Sequence, residues 1–377
     1  MGGAQEVVRR VSEELVANGS EVTVATTKLR ERPQRIINGV KIEEFSISGN
    51  AVRGFEESTP GECKRYQEFL VSGQFDVIMN YAAQQWATDL TFPVLERIPY
   101  RKVLAPCGFS CLFSTEYSSY YLQLPGVMKR YDQLIFHSNV YRDIEFARTH
   151  GMTHYCVIPN GASEREFARE DSTFRARYGI PKDVPLLLTV GSHTGTKGHN
   201  LAIRAFRRAK IGRAFLIVIG DGNTGCFRRC QQEARLANIF GLGSKRVLLF
   251  NPPREDVVAA YHAADLFVFG SEIECSPIVL FEAMASKTAF VTTACGNAEE
   301  IVAWSNGGIL VPTSKRPDGS VRASTEDMAE GIERLINSPT ERNRLSDCGY
   351  RAWRSRFMWE EIAQQYQAVY TGQHEGQ

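Results

Sequence analysis

A short apolar run followed by a helix start constrains the fold of this chain more than any other feature. Leu266–Phe269 is typical of a buried parallel strand, because its residues are continuously apolar rather than alternating. Ser276 stands where an N-cap belongs, and Pro277 stands where the first helical residue belongs. The segment therefore predicts a strand, a loop and a helix, which is the repeating unit of sheets covered by helices.

Two carboxylates flank this predicted helix start. Glu274 lies in the loop before the helix and Glu282 lies a little over one turn inside it. The free N–H groups at the helix start suit a phosphate, and each carboxylate can accept hydrogen bonds from sugar hydroxyls. The pattern predicts a ligand with hydroxyls at both ends and a phosphate between them. Two solvated glutamates are the alternative, because this spacing alone is common.

Apolar runs alternate with helical patterns along the chain, which predicts an α/β protein with parallel sheets. Pro159–Ser163 is a predicted turn, and the alternation starts again after it. Strands are predicted at 22–26, 40–45, 77–79, 102–105, 134–136 and 155–158 before the turn, and at 186–190, 215–219, 247–250, 266–269, 290–292 and 309–311 after it.

The restart predicts two Rossmann-like domains facing each other across a central cleft, with ligands outside the carboxyl ends of strands. The predicted domains cover residues 1–158 and 163–355, and a C-terminal helical segment follows at 356–377. The 377 residues are enough for two domains of this size. No strand precedes the first predicted helix, which follows Met1-Gly2-Gly3 directly, so we expect the first sheet to lack a central strand there.

Composition excludes some classes of partner. The net charge is +1, which gives no overall field to attract nucleic acid. Basic residues cluster at 28–32 and at Lys64-Arg65, where solvated surface is favoured and contact with an anionic membrane is the alternative. No apolar run approaches the length of a membrane span.

Cysteine usage indicates a reducing compartment. The nine cysteines are scattered without a C-x-x-C pair, which fits reduced thiols and a cytoplasmic location. Cys226 and Cys230 lie four apart, but no neighbouring pair of His or Cys completes a metal site in the sequence. No bound metal is predicted.

The segment from Glu274 to Ala285, Glu-x-Ser-Pro-x-Val-x-x-Glu-Ala-Met-Ala, resembles the donor-binding motif of the retaining glycosyltransferases of family 4. These are two-domain enzymes of the GT-B fold, and the resemblance extends from Gly2 to Tyr370. It implies that Glu274 positions the donor sugar and that Glu282 binds the ribose. It also implies that the C-terminal helix crosses back to the first domain.

Val190–Gly198 resembles the Gly-Arg-x-x-x-x-Lys-Gly segment of the same family. Lys197 matches the lysine that neutralises the donor diphosphate, and Gly191 matches the first glycine. Ser192 replaces the arginine, so the resemblance places more of the charge stabilisation on Lys197. His193 and His199 could assist, but polar surface-loop histidines are the favoured interpretation.

Other segments of the family pattern recur in order. Gly220 matches a Gly-x-Gly turn, and Phe250-Asn251 occupies the loop that usually approaches the nucleobase. Cys295–Val302 resembles a Gly-Gly-x-Pro-Glu-Ile-Val loop, in which Asn297 replaces the second glycine and is expected to tolerate left-handed backbone. Gly2-Gly3 matches a loop that lets backbone approach the donor phosphates.

The first domain departs from the family at one position. The family often carries a histidine near the reacting carbon, in a loop after a strand, and Ala105–Gly108 stands in that place. Cys107 could act there as a nucleophile, but a packed or loop thiol is favoured.

The resemblance implies a glycosyltransferase that moves a sugar from a UDP- or GDP-linked donor to a glycan, lipid-linked or small-molecule acceptor, with retention. It also implies biosynthesis of glycans, polysaccharides or glycolipids in the cytoplasm, with peripheral membrane contact as an option. The absence of an Asp-x-Asp motif implies no catalytic metal, and no cofactor is expected. The catalytic candidates are Lys197 and Glu274, and the donor-binding candidates are Gly2, Gly3, Gly191, Ser192, Lys197, Gly220, Phe250, Asn251, Glu274, Cys275, Ser276, Pro277, Ile278, Val279 and Glu282.

Two alternatives remain at this point. A catalytically degenerate scaffold or partner subunit would account for Ser192 and for the missing histidine. A nucleotide-sugar epimerase or hydrolase of the same fold would need carboxylate bases that the sequence does not identify.

Overall fold

The computed structural model describes residues 2–29, 31–32, 34–169, 171–222, 224–241 and 244–373. The chain divides into two compact units. The first comprises Met1–Pro159 together with Trp359–Gln377, and the second comprises Asn160–Met358. Met1, Arg30 of the basic cluster at 28–32, and residues 374–377 lie outside the described residues.

The first unit is an α/β assembly built from short strands. Its elements up to the division are α1 (Gly3–Ala17), β1 (Thr23–Thr27), β2 (Ile36–Ile37), β3 (Val40–Phe45), β4 (Ile47–Asn50), β5 (Gly54–Glu57), α2 (Glu62–Ser72), β6 (Val77–Tyr81), α3 (Trp86–Asp89), a 3-10 turn (Phe92–Arg97), β7 (Arg101–Ala105), a second 3-10 turn (Thr115–Tyr117), α4 (Ser118–Met128), β8 (Gln133–Phe136), α5 (Arg142–Thr149) and β9 (Tyr155–Val157).

Strands β6 to β9 pair in sequence order as a parallel sheet, as expected for strands joined by helical crossovers. Over the described residues, β1, β3 and β2 form a separate sheet in which β1 and β3 run parallel. Tyr66 packs edge to face against both Phe45 and Trp86, with 5.0 Å between ring centroids, and all three rings belong to the hydrophobic core of this unit.

The second unit is a larger α/β domain. Its elements are α6 (Glu164–Phe167), α7 (Phe174–Arg177), β10 (Leu186–Val190), α8 (His199–Arg208), β11 (Ala214–Ile219), α9 (Gly225–Phe240), β12 (Lys245–Phe250), α10 (Arg254–Ala263), β13 (Leu266–Phe269), α11 (Ile278–Ala285), β14 (Phe290–Thr292), α12 (Ala298–Ser305), β15 (Gly308–Leu310), β16 (Ser314–Lys315), β17 (Val321–Arg322), α13 (Thr325–Asn337) and α14 (Pro339–Arg356).

Among the described residues, six strands of the second unit form one parallel sheet in the order β12-β11-β10-β13-β14-β15. This is the doubly wound order, which reverses direction between β10 and β13. Side chains alternate across the sheet, so Leu188 and Phe267 enter the core on one face, and Leu187 and Val268 enter the core on the other. Both faces are apolar, which is why these strands are continuously hydrophobic in the sequence.

The last helix, α15 (Trp359–Tyr370), belongs to the first unit and packs against α1. Arg101 Nε donates to Val369 O at 2.9 Å, which ties the end of this helix to the start of β7. None of the helices in the described part of the chain has both the length and the apolar character needed to cross a bilayer.

Candidate functional site

Two loops emerge side by side at the carboxyl edge of the second sheet. Residues 191–198 connect β10 to α8, and residues 270–277 connect β13 to α11. Strands β10 and β13 are neighbours at the point where the strand order reverses. Sheets of this kind bind ligands at that crevice, because connections leave it in opposite directions.

The two loops contact each other through backbone. Thr196 O accepts a hydrogen bond from Glu272 N at 2.8 Å and another from Ser271 Oγ at 3.1 Å. Gly198 has a φ of +72°, and a Cβ atom added there would overlap the carbonyl group of Gly270. Glycine is therefore required at position 198 for both the backbone conformation and the close approach of the loops.

This contact brings the two catalytic candidates together. Lys197 Nζ lies 2.7 Å from Glu274 Oε1, and Ser271 Oγ donates to the same oxygen at 2.9 Å. The Lys197 side chain is 27% exposed and the Glu274 side chain 14% exposed, so the pair is partly shielded from water. A diphosphate entering the crevice would meet a lysine whose position is already fixed by a carboxylate.

The start of α11 differs from the sequence prediction by one residue. The helix begins at Ile278, and Pro277 takes the cap position with extended backbone (φ −72°, ψ 106°), so Ser276 is not the N-cap. The Ser276 carbonyl accepts a hydrogen bond from Asn160 Nδ2 at 2.9 Å, which holds the residue in the loop. Ser276 Oγ is buried and has no hydrogen-bond partner among the described atoms.

The first turn of α11 carries the remaining donor-binding candidates of this segment. Ile278 and Val279 are half-buried, and as first-turn residues they direct backbone N–H groups out of the helix end. Cys275 O accepts from Asn297 N at 3.0 Å. Gly296 has a φ of +58°, and a Cβ atom there would lie 2.6 Å from Cys275 O. Asn297 itself has a φ of −99°, so the left-handed backbone of this loop is at Gly296 and not at Asn297.

Glu282 lies behind the helix start in an ion-pair network. Glu282 Oε1 accepts from Arg254 Nη2 at 2.5 Å, and the same guanidinium group contacts Glu166 Oε2 at 2.8 Å. The Glu282 side chain is only 6% exposed. Burial acts to lower the pKa of Arg254, but the two carboxylates outweigh it and raise that pKa further above its usual range. Arg254 was missed at the sequence level, although it opens α10 directly after the Phe250–Pro253 loop.

The loop expected at the nucleobase carries an aromatic surface. The Phe250 ring stacks on the Tyr178 ring with 4.7 Å between centroids and an interplanar angle of 2°. Tyr178 Oη donates to Asp256 Oδ2 at 2.6 Å, which fixes the orientation of the Tyr178 ring. Asn251 is exposed beside this stacked pair. The pair can present a flat apolar surface to a base.

The other candidates in the second unit lie at strand ends. Gly191 and Gly220 follow β10 and β11, and a Cβ atom at Gly220 would overlap the Gly191 carbonyl oxygen. Ser192 is half-buried next to Gly191. His193 and His199 are each 1% exposed, so the interpretation of both as surface-loop histidines is wrong. Burial lowers the pKa of His199 to about 4, which keeps its ring neutral.

Gly2 and Gly3 belong to the first unit. Gly2 takes the cap position of α1 with φ −86° and ψ 163°, and its carbonyl accepts from Glu6 N at 3.1 Å. Both glycines are exposed. The backbone of this helix start is therefore open, as the expected phosphate-approaching loop requires.

The first unit contains a polar cluster that the sequence did not indicate. Tyr81, Cys107 and His137 stand at the carboxyl ends of β6, β7 and β8, which are neighbouring parallel strands. Tyr81 Oη lies 2.9 Å from His137 Nε2, and Cys107 Sγ lies 3.7 Å from Tyr81 Oη. Cys107 has a φ of +57°, an uncommon conformation for a residue with a side chain. A histidine that follows the next strand thus lies beside the 105–108 segment.

Asp143 completes this cluster from the start of α5. Its Oδ2 accepts from Gly108 N at 2.8 Å, and the residue is 1% exposed. Burial raises the pKa of Asp143 to about 6, although the neighbouring His137 acts to lower it. For His137, burial acts in the opposite direction and lowers the pKa. The hydrogen bond and charge of Cys107 outweigh it and raise the pKa of His137 above its ordinary value.

Two arginines of the basic clusters, Arg32 and Arg65, are paired with carboxylates. Arg32 Nε lies 3.1 Å from Glu44 Oε1, and Arg65 contacts both Glu43 and Glu62 at 2.7 Å. Solvated, charge-compensated surface accounts for these residues without a lipid partner.

The comparisons with known proteins agree with this geometry. Residues 170–352 match the family described as glycosyl transferases group 1. A D-inositol 3-phosphate glycosyltransferase of Nocardioides sp. is 28% identical over 227 residues, which are 57% of this chain and 47% of that protein. The first relatives matched are thus covered over less than half of their length (47%, 45% and 46%).

Solved structures match over nearly the whole chain. Sucrose-phosphate synthase from Thermosynechococcus elongatus superposes with a TM-score of 0.78 at 19% identity, covering 98% of this chain and 93% of that one. Anabaena Alr3699/HepE, solved in complex with UDP-glucose, superposes with a TM-score of 0.72 at 17% identity, covering 99% and 96% of the two chains.

Two α/β units with parallel sheets, matched over their full length by these structures, define a protein of the GT-B fold, so the predicted fold is confirmed. The match to the glycosyl transferases group 1 family lies within the second unit and covers a little under half of the chain.

Proposed function

We propose that this protein transfers a sugar from a nucleotide diphosphate donor to an acceptor hydroxyl with retention of anomeric configuration. The observation that carries the proposal is the ion pair between Lys197 and Glu274 at the switch point of the second sheet. A donor sugar needs a hydrogen-bond acceptor for its hydroxyls, and its departing diphosphate needs positive charge. One pair of side chains supplies both at adjacent positions.

Charge stabilisation of the leaving group is the main catalytic requirement. Negative charge develops on the diphosphate oxygen as the bond to the sugar breaks. The Lys197 ammonium group and the first-turn N–H groups of α11 are assigned to that oxygen. Preorganised donors of this kind are the largest single contribution in many enzymes.

Nucleotide binding is assigned to the opposite end of the site. Glu282 accepts the ribose hydroxyls, and Arg254 fixes the carboxylate for that purpose through the contact of 2.5 Å. Phe250 with Tyr178 forms the surface for a uracil or guanine base, and Asn251 lies beside it. The UDP-glucose bound by Anabaena Alr3699/HepE supports a uridine donor. The reaction as proposed needs no cofactor besides the donor.

The acceptor is expected to be a small molecule, a lipid-linked sugar or a glycan hydroxyl. The relatives named as D-inositol 3-phosphate glycosyltransferases support a polyol phosphate as the first acceptor to test. A place in glycan or glycolipid biosynthesis follows from this acceptor class.

The test is a donor panel. Purified protein is incubated with UDP- and GDP-linked hexoses, with and without acceptors, and release of nucleoside diphosphate is measured. NMR of the product then gives the anomeric configuration. An active enzyme that yields the inverted anomer would overturn the retaining mechanism, whereas absence of any donor turnover would overturn the transferase proposal.

Ser192 favours one competing function, a catalytically inactive glycosyltransferase-like subunit. The hydroxyl group carries no charge, so the site has one cation fewer than the family pattern. Nucleotide binding measured by calorimetry separates the two cases, because an inactive subunit that retains the site binds UDP or GDP without turning over any sugar donor.

A further inference from the structure

A second cluster of side chains lies at the 191–198 loop and the neighbouring helix α9, and none of its residues is assigned to the donor. His193 belongs to this loop, whereas Cys226 and Cys230 stand one turn apart on the same face of α9. One ligand atom from each of the three side chains lies within 4.8 Å of those of the other two. All three residues are buried, with exposures of 1%, 6% and 0%.

The distance between Cys226 and His193 matches tetrahedral metal coordination, and the distances to Cys230 lie within 4.8 Å. Cys226 Sγ lies 3.6 Å from His193 Nδ1. In a tetrahedral zinc site with Zn–S near 2.3 Å and Zn–N near 2.05 Å, the sulfur-to-nitrogen edge is about 3.6 Å and the sulfur-to-sulfur edge about 3.8 Å. The three atoms can therefore hold one ion with shifts of less than about 1 Å. Asn200 Oδ1, 3.1 Å from Cys230 Sγ, offers an oxygen beside this set.

We infer that His193, Cys226 and Cys230 form a zinc-binding site. Two thiolates and a neutral imidazole are the ligands that favour zinc over magnesium or calcium. Zinc with two thiolates has no net charge, so such a site can be buried without an uncompensated ion. On binding, each thiol gives up its proton to solvent, and the metal takes the place of both protons.

The surroundings hold the ligands in place before any metal arrives. His193 N donates to Asp221 Oδ1 at 3.1 Å, and Thr224 Oγ1 donates to His193 O at 2.7 Å. Thr224 also caps α9 by accepting from Phe227 N at 3.1 Å. The cap of the helix that carries both cysteines therefore fixes the backbone of the histidine. A zinc ion here would clamp α9 to the loop that bears Lys197.

The inference is independent of sugar transfer, and metal content tests it directly. Protein expressed with zinc supplied is dialysed and its metal content is measured by elemental analysis. About one zinc per chain is expected. After removal of zinc with a chelator, titration with cobalt(II) should give the thiolate-to-cobalt charge-transfer absorption of a site with cysteine ligands. Magnesium or calcium should not displace it.

Variants locate the site. Cys226→Ser and His193→Asn should each weaken zinc retention by at least roughly tenfold, in competition with a chromogenic chelator. Cys156→Ser, which changes a buried thiol of the first unit, should leave it unchanged. The cobalt spectrum of the unmodified chain needs no variant, so a variant that fails to fold does not remove the test. Less than a tenth of an equivalent of zinc and no thiolate absorption would overturn the inference, as would equal retention in Cys226→Ser.

Discussion

Lys197 Nζ lies 2.7 Å from Glu274 Oε1, although 77 positions separate the two residues in the chain. The contact exists because Gly198 and Gly270 let two loops of one sheet edge touch. Neither side chain is fully buried in the fold, because both remain partly exposed at the loop surface. A cation and an anion fixed side by side suit a ligand that contains both phosphate and hydroxyl groups.

Replacing Lys197 by Ala is expected to lower kcat by about 10²–10³, the usual scale for removing one preorganised transition-state donor. Glu274 would also lose its counter-charge. Steady-state rates of nucleoside diphosphate release measure the effect. Lys182→Ala, at an exposed position of the same unit, serves as the control and should be neutral. An equally active Lys197→Ala enzyme would mean that the helix start at 277–279 suffices alone.

Replacing Glu282 by Ala is expected to weaken nucleotide binding by roughly 1–3 kcal/mol, the cost of losing a charge-assisted hydrogen bond and leaving a partner unpaired. Calorimetric titration with UDP and GDP measures it. Arg254 becomes part of the test, because Glu282 positions its oxygens against that guanidinium group. Arg254→Met should weaken binding too, and the two losses should not add. Unchanged affinity in both variants would show that the network is structural only.

Gly198→Ala is expected to destabilise the second unit by about 2 kcal/mol or more, because left-handed backbone and overlap with the Gly270 carbonyl act together. Urea unfolding followed by circular dichroism measures it. Two controls separate the causes. Gly179→Ala has a φ of +65° without a close neighbour and should cost less, whereas Gly212→Ala has neither feature and should be nearly neutral. Equal stability of all three variants would contradict the loop contact.

The strands of the second unit were predictable because their sheet is buried on both faces. Continuous apolar runs such as Leu186–Val190 and Phe290–Thr292 were located to the residue, and others shifted by one position, as at Gly308–Leu310. The cap at Ser276 was predicted one residue early. Nothing in the sequence indicates that the Asn160 amide, which lies far away in the chain, donates to the Ser276 carbonyl.

The site was only partly predictable, for a related reason. Lys197, Glu274 and Glu282 lie in local motifs that can be recognised in a single sequence. Arg254 and His137 lie outside those motifs, and only the parallel order of strands brings them to their partners. Periodicity does not show which strand ends are neighbours, so His193 could not be joined to the cysteine pair on α9 either.

Asp143→Asn is expected to remove a pH-dependent loss of stability. The pKa of Asp143 is raised to about 6 in the folded state from an ordinary 3.8. The folded state thus holds a proton that the unfolded state releases. The stability associated with this proton is fully present below about pH 4 and is lost as pH rises through 6. The raised pKa of His137, next to Cys107 and Tyr81, acts in the same direction above its ordinary value of 6.5.

Unfolding free energies measured from pH 4 to 7 give the test of this effect. Stability of the unmodified chain should fall relative to Asp143→Asn by up to about 1.4 kcal/mol per pH unit in that window. Asp183→Asn, which changes an exposed carboxyl group, should leave the pH profile unaltered. Parallel profiles for Asp143→Asn and the unmodified chain would show that the carboxyl group is ionised throughout.

Ser192→Arg is expected to raise kcat, because it would add a bidentate phosphate contact at the position where the family pattern has arginine. Ser192 is half-buried on the loop that bears Lys197. Rates for Ser192→Arg, Lys197→Ala and the double variant form a cycle. If both cations act on one leaving group, the arginine should partly rescue Lys197→Ala. Ser192→Lys is the control, since it adds a positive charge without the planar guanidinium group.

If the unmodified chain is inactive and becomes active only as Ser192→Arg, the natural protein is an inactive subunit that binds the nucleotide. No donor turnover in any variant, with UDP binding retained, would show that the limitation lies outside this loop.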